Sequence, residues 1–300
     1  MQVPTGKLLR VDLTAGRITV EEIRPDWRRD YLGGRGLAAR YLLEELDPHV
    51  DPLSPDNKLI FATGPLTGTP VPCGARYMVV TKGALTDAIT TSNSGGHWGP
   101  ELRFAGYDMV ILEGRAPAPC YLLICDDRVE LRDAAHFWGR PVGATEDGLR
   151  RELGIPGLRV VCIGPAGEKL VRFACIMNDK HRAAGRSGVG AVMGSKNLKA
   201  IAVRGTGSVS LADPAAFMKA VWTMRARMQD NPGRISFTEL GTAATIDMTQ
   251  AFGGLPTRNF LEGQFEHYEN LNGTTIKETR MVANKACFAC TIACGRVTRL

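Results

Sequence analysis

The sequence lacks the long apolar stretch that crosses a membrane. None of its hydrophobic runs approaches the ~18 consecutive apolar residues of a spanning helix, although 44% of its 300 residues are hydrophobic. The first residues contain no apolar core of signal-peptide length and no small-residue cleavage site. We therefore expect a cytoplasmic protein that has no membrane partner.

Disulfide scaffolds and nucleic-acid arms are also excluded. Eight cysteines in 300 residues are too sparse for a disulfide framework, so they indicate free core thiols or metal ligands. The 37 Lys and Arg residues exceed the 31 Asp and Glu residues by only six, and no basic run is present. The composition therefore predicts no nucleic-acid partner, and its mild positive charge suits an anionic cofactor or an acidic protein partner.

The familiar nucleotide loops are missing as well. In the glycine-rich segment 185–196 the third glycine comes one residue too late for G-x-G-x-x-G, and Lys196 follows a serine, unlike in a P-loop. The segment still has features of an anion site, because Arg182 and Arg186 supply fork-shaped donors and a helix starting near Gly190 would present its N–H groups. The alternative is close packing of a helix on a sheet.

A second small, polar segment surrounds Asn93. Its carboxamide oxygen could bind a hard cation, and the glycines that follow would admit a ligand. A plain loop is the alternative. Arg76 begins a predicted strand after Gly74 and, taken alone, is more typical of a surface arginine.

Local patterns change in character near residue 208. Before it, strand patterns dominate, including a hairpin around the Thr14–Gly16 turn and a predicted strand over 171–176. After it, Asp213 and Pro214 form a helix start, and no strong strand pattern follows. We expect a β-rich domain over residues 1–208 and the first part of an α-helical domain over residues 209–300.

Cys287, Cys290 and Cys294 form a C-x2-C-x3-C run. On a helix these offsets share a face, so a buried core stripe is one interpretation. Structural zinc needs four Cys or His ligands, and no histidine follows His267. A thioredoxin-like pair would lie at a βα junction. An iron–sulfur cluster fits better, because thiolates hold it and the small intervening residues let the backbone approach. The other cysteines are predicted to be core thiols. They are Cys73, Cys120, Cys125, Cys162 and Cys175.

Several segments, in the right order, resemble the tungsten-containing aldehyde ferredoxin oxidoreductase family. The resemblance runs from Gly6 to the end of the chain and implies an α+β fold. Its first domain would be a two-sheet base for a bis-pterin cofactor, and mainly helical structure would follow. The segments that carry it are 51–55, 62–68, 92–96, 164–168, 181–186, 190–201 and the cysteine run.

The resemblance also implies roles for individual residues. The cofactors would be a tungsten or molybdenum bis-pterin, a [4Fe-4S] cluster and Mg²⁺. Arg76 would lie between pterin and cluster, and Asn93 and the Ala183 carbonyl would serve the Mg²⁺ that bridges the pterin phosphates. Cys287, Cys290 and Cys294 would be three of four cluster ligands. The implied pterin contacts are Ser94, Gly95, Arg182 and Gly185.

The implied reaction is oxidation of an aldehyde to a carboxylic acid, with electrons passing through the cluster to ferredoxin or a ferredoxin-like subunit. The chain is about half the family's length, so the fourth cysteine ligand and the catalytic acid–base residues are expected beyond residue 300. We expect a truncated or paired chain that is inactive alone, in a homodimer or hetero-oligomer. The alternatives are a branch that acts on an aromatic thioester and a non-catalytic iron–sulfur electron-transfer or scaffold subunit.

Overall fold

Short alternating apolar segments recur through the first two hundred residues, and they fold as strands. The computed structural model describes residues 2–3 and 6–299, and the chain divides into two compact units, of which the first comprises Met1–Thr69 and Gly74–Ala212. Its elements, apart from a 3-10 turn at Ala135–Phe137, are β1 (Gln2–Val3), β2 (Lys7–Asp12), β3 (Arg17–Glu22), α1 (Pro25–Tyr31), α2 (Gly34–Glu45), β4 (Leu59–Thr63), β5 (Tyr77–Lys82), β6 (Ile89–Ser94), α3 (Trp98–Phe104), β7 (Met109–Glu113), β8 (Cys120–Cys125), β9 (Arg128–Asp133), α4 (Val142–Leu153), β10 (Arg159–Cys162), α5 (Pro165–Glu168), β11 (Ile176–Asn178), β12 (Arg182–Ala184), α6 (Val189–Ser195), β13 (Leu198–Arg204) and β14 (Ser208–Val209).

Two mixed six-stranded sheets organise the first unit. The first sheet has the order β3-β2-β7-β4-β5-β6, and the second has the order β12-β11-β10-β13-β8-β9. In each sheet one central pair is parallel, β2 with β7 and β13 with β8, while the other pairs are antiparallel. β1 and β14 form a separate parallel pair. The predicted two-sheet α+β fold is therefore confirmed.

The side-chain alternation of the strands builds three apolar layers. Leu9 of the first sheet and Leu122 of the second belong to one shared central cluster, which α3 and α6 also enter. Leu8, one residue earlier, points to the opposite face, which α1 and α2 cover. Tyr121 likewise faces a cluster formed with α4. Because both faces of both sheets are covered, β4 of the first sheet is buried along its whole length and β13 of the second along all but its last residue.

The second unit comprises Pro70–Cys73 and Asp213–Leu300. Three of its helices begin with capping side chains, since Asp213 accepts the Ala216 amide, Asn231 that of Arg234 and Asn272 that of Thr275. Two 3-10 turns, Gly241–Thr245 and Tyr268–Asn270, lie between them. The longer elements are α7 (Pro214–Gln229), α8 (Pro232–Leu240), α9 (Ile246–Ala251), α10 (Gly273–Thr279), β15 (Met281–Lys285) and β16 (Gly295–Thr298).

Two local expectations need correction. The predicted strand over 171–176 is mostly a turn, closed by the Ala174 amide donating to the Val171 carbonyl at 2.8 Å, and only Ile176 enters β11. The second unit also contains strands, because β15 and β16 pair as an antiparallel hairpin. Within the described residues no helix combines the length and the apolar character that crossing a bilayer requires.

Candidate functional site

The two sheets meet at their edge strands β6 and β12, which contact each other. Arg76 precedes β5, and the β5–β6 register places Tyr77 opposite Ser94, so Arg76 lies at the same end as Asn93. We call this place the seam and define it by the predicted residues that lie on it. They are Arg76, Asn93, Ser94, Gly95, Arg182, Ala183 and Gly185.

The seam presents polar groups that suit an anion accompanied by a hard cation. Arg76 and Asn93 are exposed, and a guanidinium nitrogen of Arg76 donates to the Asn93 carboxamide oxygen. That oxygen has a second lone pair for a cation. Ala183 and Gly185 are exposed, and a Cβ added to Gly185 would meet only the Ala183 Cβ, at 3.7 Å. The backbone at this point is therefore open to close approach by a ligand.

Asn178, which the sequence does not single out, joins the two halves of the seam. Its side chain is fully buried. Its Oδ1 accepts the hydroxyls of Tyr77 at 3.0 Å and Ser94 at 2.7 Å, and its Nδ2 donates to the Gly95 carbonyl at 2.9 Å. Nδ2 also donates to Asp179 Oδ2 at 2.8 Å. All four hydrogen-bonding positions of the carboxamide are thus used to hold β6 and the following loop against β11.

Asp179 continues this network toward the loop after β6. Its Oδ2 accepts the His97 amide at 2.8 Å, and Arg159 lies 3.6 Å from Oδ1. Burial alone would raise the pKa of Asp179, but hydrogen bonds from His97 and Asn178 outweigh burial and lower the pKa to about 2. Gly96 is required beside it, because φ is +91° and an added Cβ would lie 2.1 Å from Asp179 Oδ2.

The glycines of segment 185–196 have a packing role. An added Cβ would lie 2.0 Å from the Arg172 carbonyl at Gly188, 2.5 Å from the Cys175 carbonyl at Gly190 and 2.0 Å from the Gly167 carbonyl at Gly194. The Gly190 amide donates to the Ala174 carbonyl at 2.9 Å. The beginning of α6 therefore faces the protein's own backbone, which supports the packing alternative for these glycines.

The cysteine run forms the loop of the β15–β16 hairpin. Lys285 pairs with Gly295, so Cys287, Cys290 and Cys294 all lie in the connecting loop rather than on a helix. All three are half-buried. Ala289 and Ala293, between them, have positive φ values of 53° and 51°. Alanine, which is neither bulky nor β-branched, tolerates this left-handed backbone better than a larger residue would. The loop curves at both alanines, and its eight residues from Cys287 to Cys294 supply three thiols.

Arg296, which the sequence analysis missed, holds this loop to α8. Its guanidinium donates to the carbonyls of Phe237 at 3.0 Å, Thr238 at 2.7 Å and Ala293 at 3.1 Å. Thr238 in turn donates its hydroxyl to the Ile292 carbonyl at 2.8 Å. The position of this arginine, two residues after the last cysteine, is visible in the sequence. Its backbone carbonyl partners are not, because a sequence motif does not show which carbonyls lie nearby.

The eight cysteines all lie within the described residues, and none of them forms a disulfide. Among the described residues, no group of three or more His, Cys, Asp or Glu side chains could hold a metal ion. A single zinc ion needs its ligands around one point, whereas a [4Fe-4S] cluster takes one thiolate on each iron. Three thiols on one loop are the donor type that such a cluster takes. Cys120 and Cys162 are core thiols as expected, but Cys73 is exposed and its Sγ lies 3.8 Å from that of Cys290.

Two family models match the chain. The model described as aldehyde ferredoxin oxidoreductase, N-terminal domain, covers residues 8–205. The model described as aldehyde ferredoxin oxidoreductase, domains 2 and 3, covers residues 219–300. Together they include both the seam and the cysteine loop.

Individual relatives agree with these matches. Tungsten-containing aldehyde ferredoxin oxidoreductases of Pyrococcus furiosus and Pyrococcus abyssi are each 50% identical over 296 residues, which is 98% of this chain and 49% of theirs. The WOR-like subunit of an aliphatic sulfonate oxidoreductase from Pyrococcus furiosus is 34% identical, covering 100% of this chain and 50% of its own. The chain spans about half the length of the curated relatives it matches.

A solved structure shares the fold. The active-site complex BamBC of benzoyl coenzyme A reductase, bound to 1,5-dienoyl-CoA, aligns with a TM-score of 0.85 and 33% identity. The alignment covers 100% of this chain and 48% of that chain.

Proposed function

The chain belongs to the aldehyde ferredoxin oxidoreductase family, and from that premise we propose that it is part of an enzyme that oxidises aldehydes to carboxylic acids. The seam would hold a tungsten or molybdenum bis-pterin with its Mg²⁺, and the cysteine loop would hold a [4Fe-4S] cluster. When bound, these groups supply the two-electron chemistry of the substrate and the one-electron path away from it.

The observation that carries the proposal is the seam itself. Donors and open backbone from three separate chain segments, at residue 76, residues 93–95 and residues 182–185, lie where two sheet edges meet. Arg76 and Arg182 would bind the anionic cofactor, and the Asn93 oxygen with the Ala183 carbonyl would offer hard ligands to Mg²⁺. Ser94 and Gly95 are buried and bonded to Asn178, so they would shape the seam from beneath the exposed Asn93.

In the second unit the proposed roles fall on the hairpin loop. Cys287, Cys290 and Cys294 would bind three irons as thiolates, while Arg296 holds the loop in shape. The fourth iron ligand and the acid–base residues would come from outside residues 1–300. Ferredoxin or a ferredoxin-like subunit would accept the electrons, and a cytoplasmic homodimer or hetero-oligomer would be the working form.

The aldehyde branch is preferred to its alternatives on similarity. The aldehyde-oxidising relatives are 50% identical to this chain, against 34% for the sulfonate enzyme subunit and 33% for the benzoyl coenzyme A reductase chain. A non-catalytic iron–sulfur scaffold would have no use for the cation-and-anion site that the seam is proposed to form.

Metal and pterin analysis of the anaerobically purified holoprotein tests the proposal. We expect about one tungsten or molybdenum per chain with two pterins, and about four irons. Iron without tungsten, molybdenum or pterin would support the scaffold alternative instead. Cys290→Ser should lose most iron, while the matched variant Cys175→Ser, at a half-buried thiol of the first unit, should keep it. Equal iron in both variants would remove Cys290 from the ligand set.

A further inference from the structure

A thiol from the first third of the chain lies beside the cysteine loop. The segment Pro70–Cys73 packs as part of the second unit, although the residues on both sides of it belong to the first. There the Cys73 Sγ lies 3.8 Å from the Cys290 Sγ, across 217 positions of sequence. The resemblance assigns no role to Cys73, and its exposure is unlike that of the core thiols Cys120 and Cys162.

Both sulfurs are carried by anchored segments. Pro70 and Pro72 restrict φ on the Cys73 side, and the Arg225 guanidinium of α7 donates to the Pro70 carbonyl at 3.2 Å. On the other side, the Cys290 amide donates to the Cys287 carbonyl at 3.2 Å. The backbones that carry the two sulfurs are thus both held in place.

The 3.8 Å between the two sulfurs rules out a disulfide bond and leaves two possibilities, a shared metal ion and a hydrogen bond. It is far longer than the ~2.05 Å of a disulfide bond. Two thiolates on one tetrahedral ion would lie about 3.8 Å apart, given metal–sulfur bonds of ~2.3 Å. However, each iron of a [4Fe-4S] cluster takes a single protein thiolate, and no third ligand joins the pair among the described residues. The remaining relationship is a hydrogen bond from a protonated thiol to a thiolate.

We propose that Cys73 donates an S–H hydrogen bond to the Cys290 thiolate and so raises the reduction potential of the cluster, an inference that rests on the proposed function. The reduced cluster carries one more negative charge than the oxidised cluster. A donor to a ligating sulfur therefore stabilises the reduced form more, and the potential rises. Cys73 is a positioning residue that tunes the cluster through Cys290 and does not bind iron.

The test uses the holoprotein, purified anaerobically, with two substitutions at one position. Cys73→Ala removes the donor, and Cys73→Ser replaces it with a hydroxyl donor. Both keep a Cβ, so the positive φ of 65° costs the backbone no more than in the parent. Cys175→Ala is the matched control at a half-buried thiol in the first unit. The measurements are iron per chain and the cluster midpoint potential, from redox titration followed by electron paramagnetic resonance.

We expect Cys73→Ala to retain its iron and to shift the midpoint to a more negative potential. Cys73→Ser should return the midpoint toward that of the parent, and Cys175→Ala should leave it unchanged. An unshifted midpoint in Cys73→Ala overturns the inference, and so does loss of iron from that variant, because iron loss would make Cys73 a ligand. A parent holoprotein without iron would overturn the proposed function, whereas a normal parent with unresponsive variants overturns only the role of Cys73.

Discussion

Replacing Asn178 with leucine should destabilise the first unit and release the cofactor that the seam is proposed to hold. The substitution keeps the side chain's approximate volume but removes all four hydrogen bonds of a fully buried carboxamide. The hydroxyls of Tyr77 and Ser94 would lose a shared acceptor, and the Gly95 carbonyl would lose its donor. The loop that carries Gly95 and Gly96 would then be free to move away from β11.

The magnitude follows from those partners. Three neutral hydrogen bonds contribute ~1 kcal/mol each, and the bond to the Asp179 carboxylate contributes ~2 kcal/mol. Burying leucine in place of a carboxamide offsets ~1 to 2 kcal/mol of this loss. We therefore expect the free energy of unfolding to fall by about 3 to 4 kcal/mol, with most pterin lost during purification.

Asn57→Leu provides the matched control. Asn57 is also fully buried in the first unit and makes four neutral hydrogen bonds away from the seam. Its Nδ2 donates to Pro52 O at 2.6 Å, Thr81 Oγ1 at 3.1 Å and Lys82 O at 3.0 Å, and its Oδ1 accepts the Lys82 amide at 3.4 Å. Its replacement should cost a comparable ~2 to 3 kcal/mol yet leave pterin bound. Urea unfolding and pterin fluorescence after oxidative release measure the two effects. If Asn178→Leu unfolds like the parent, or keeps its pterin as Asn57→Leu does, the reasoning is wrong.

Two further predictions concern charge. The pKa of Asp179 is lowered from 3.8 to about 2, so its ~2 kcal/mol contribution to stability is present above pH 4 and is lost as the pH falls through 2. Between pH 5 and pH 2, Asp179→Asn should therefore lose ~2 kcal/mol less stability than the parent. Parallel acid-unfolding curves for the two proteins would contradict this. Arg296→Gln should lower iron per chain because the Phe237, Thr238 and Ala293 carbonyls lose their common donor. Arg299→Gln, at an exposed position just after the same hairpin, should not. Equal iron in both variants would assign Arg296 no part in holding the loop.

Sequence patterns predicted the fold well where the determining interactions are local. The hairpin over residues 7–22 forms with Lys7 opposite Glu22, because a turn and two alternating segments are adjacent in the chain. Asp213 caps α7 as its position before Pro214 predicts. The prediction failed at 171–176, where apolar residues alternate as in a strand but close a turn beside Gly190. Ala174 and Ile176 are buried there while Phe173 is 73% exposed, and a short sequence window cannot distinguish such a turn from a strand.

The sequence by itself determined the residue types of both candidate sites. Their guanidinium, carboxamide, glycine and thiol groups can be recognised from residue type and spacing within single segments. Tertiary structure alone decided which segments meet. It placed residue 76, residues 93–95 and residues 182–185 on one seam, made Asn178 the residue that joins them, and brought Cys73 within 3.8 Å of Cys290. Local periodicity carries no record of contacts between residues this far apart in the chain, because those contacts arise from sheet order and from the packing of edge strands.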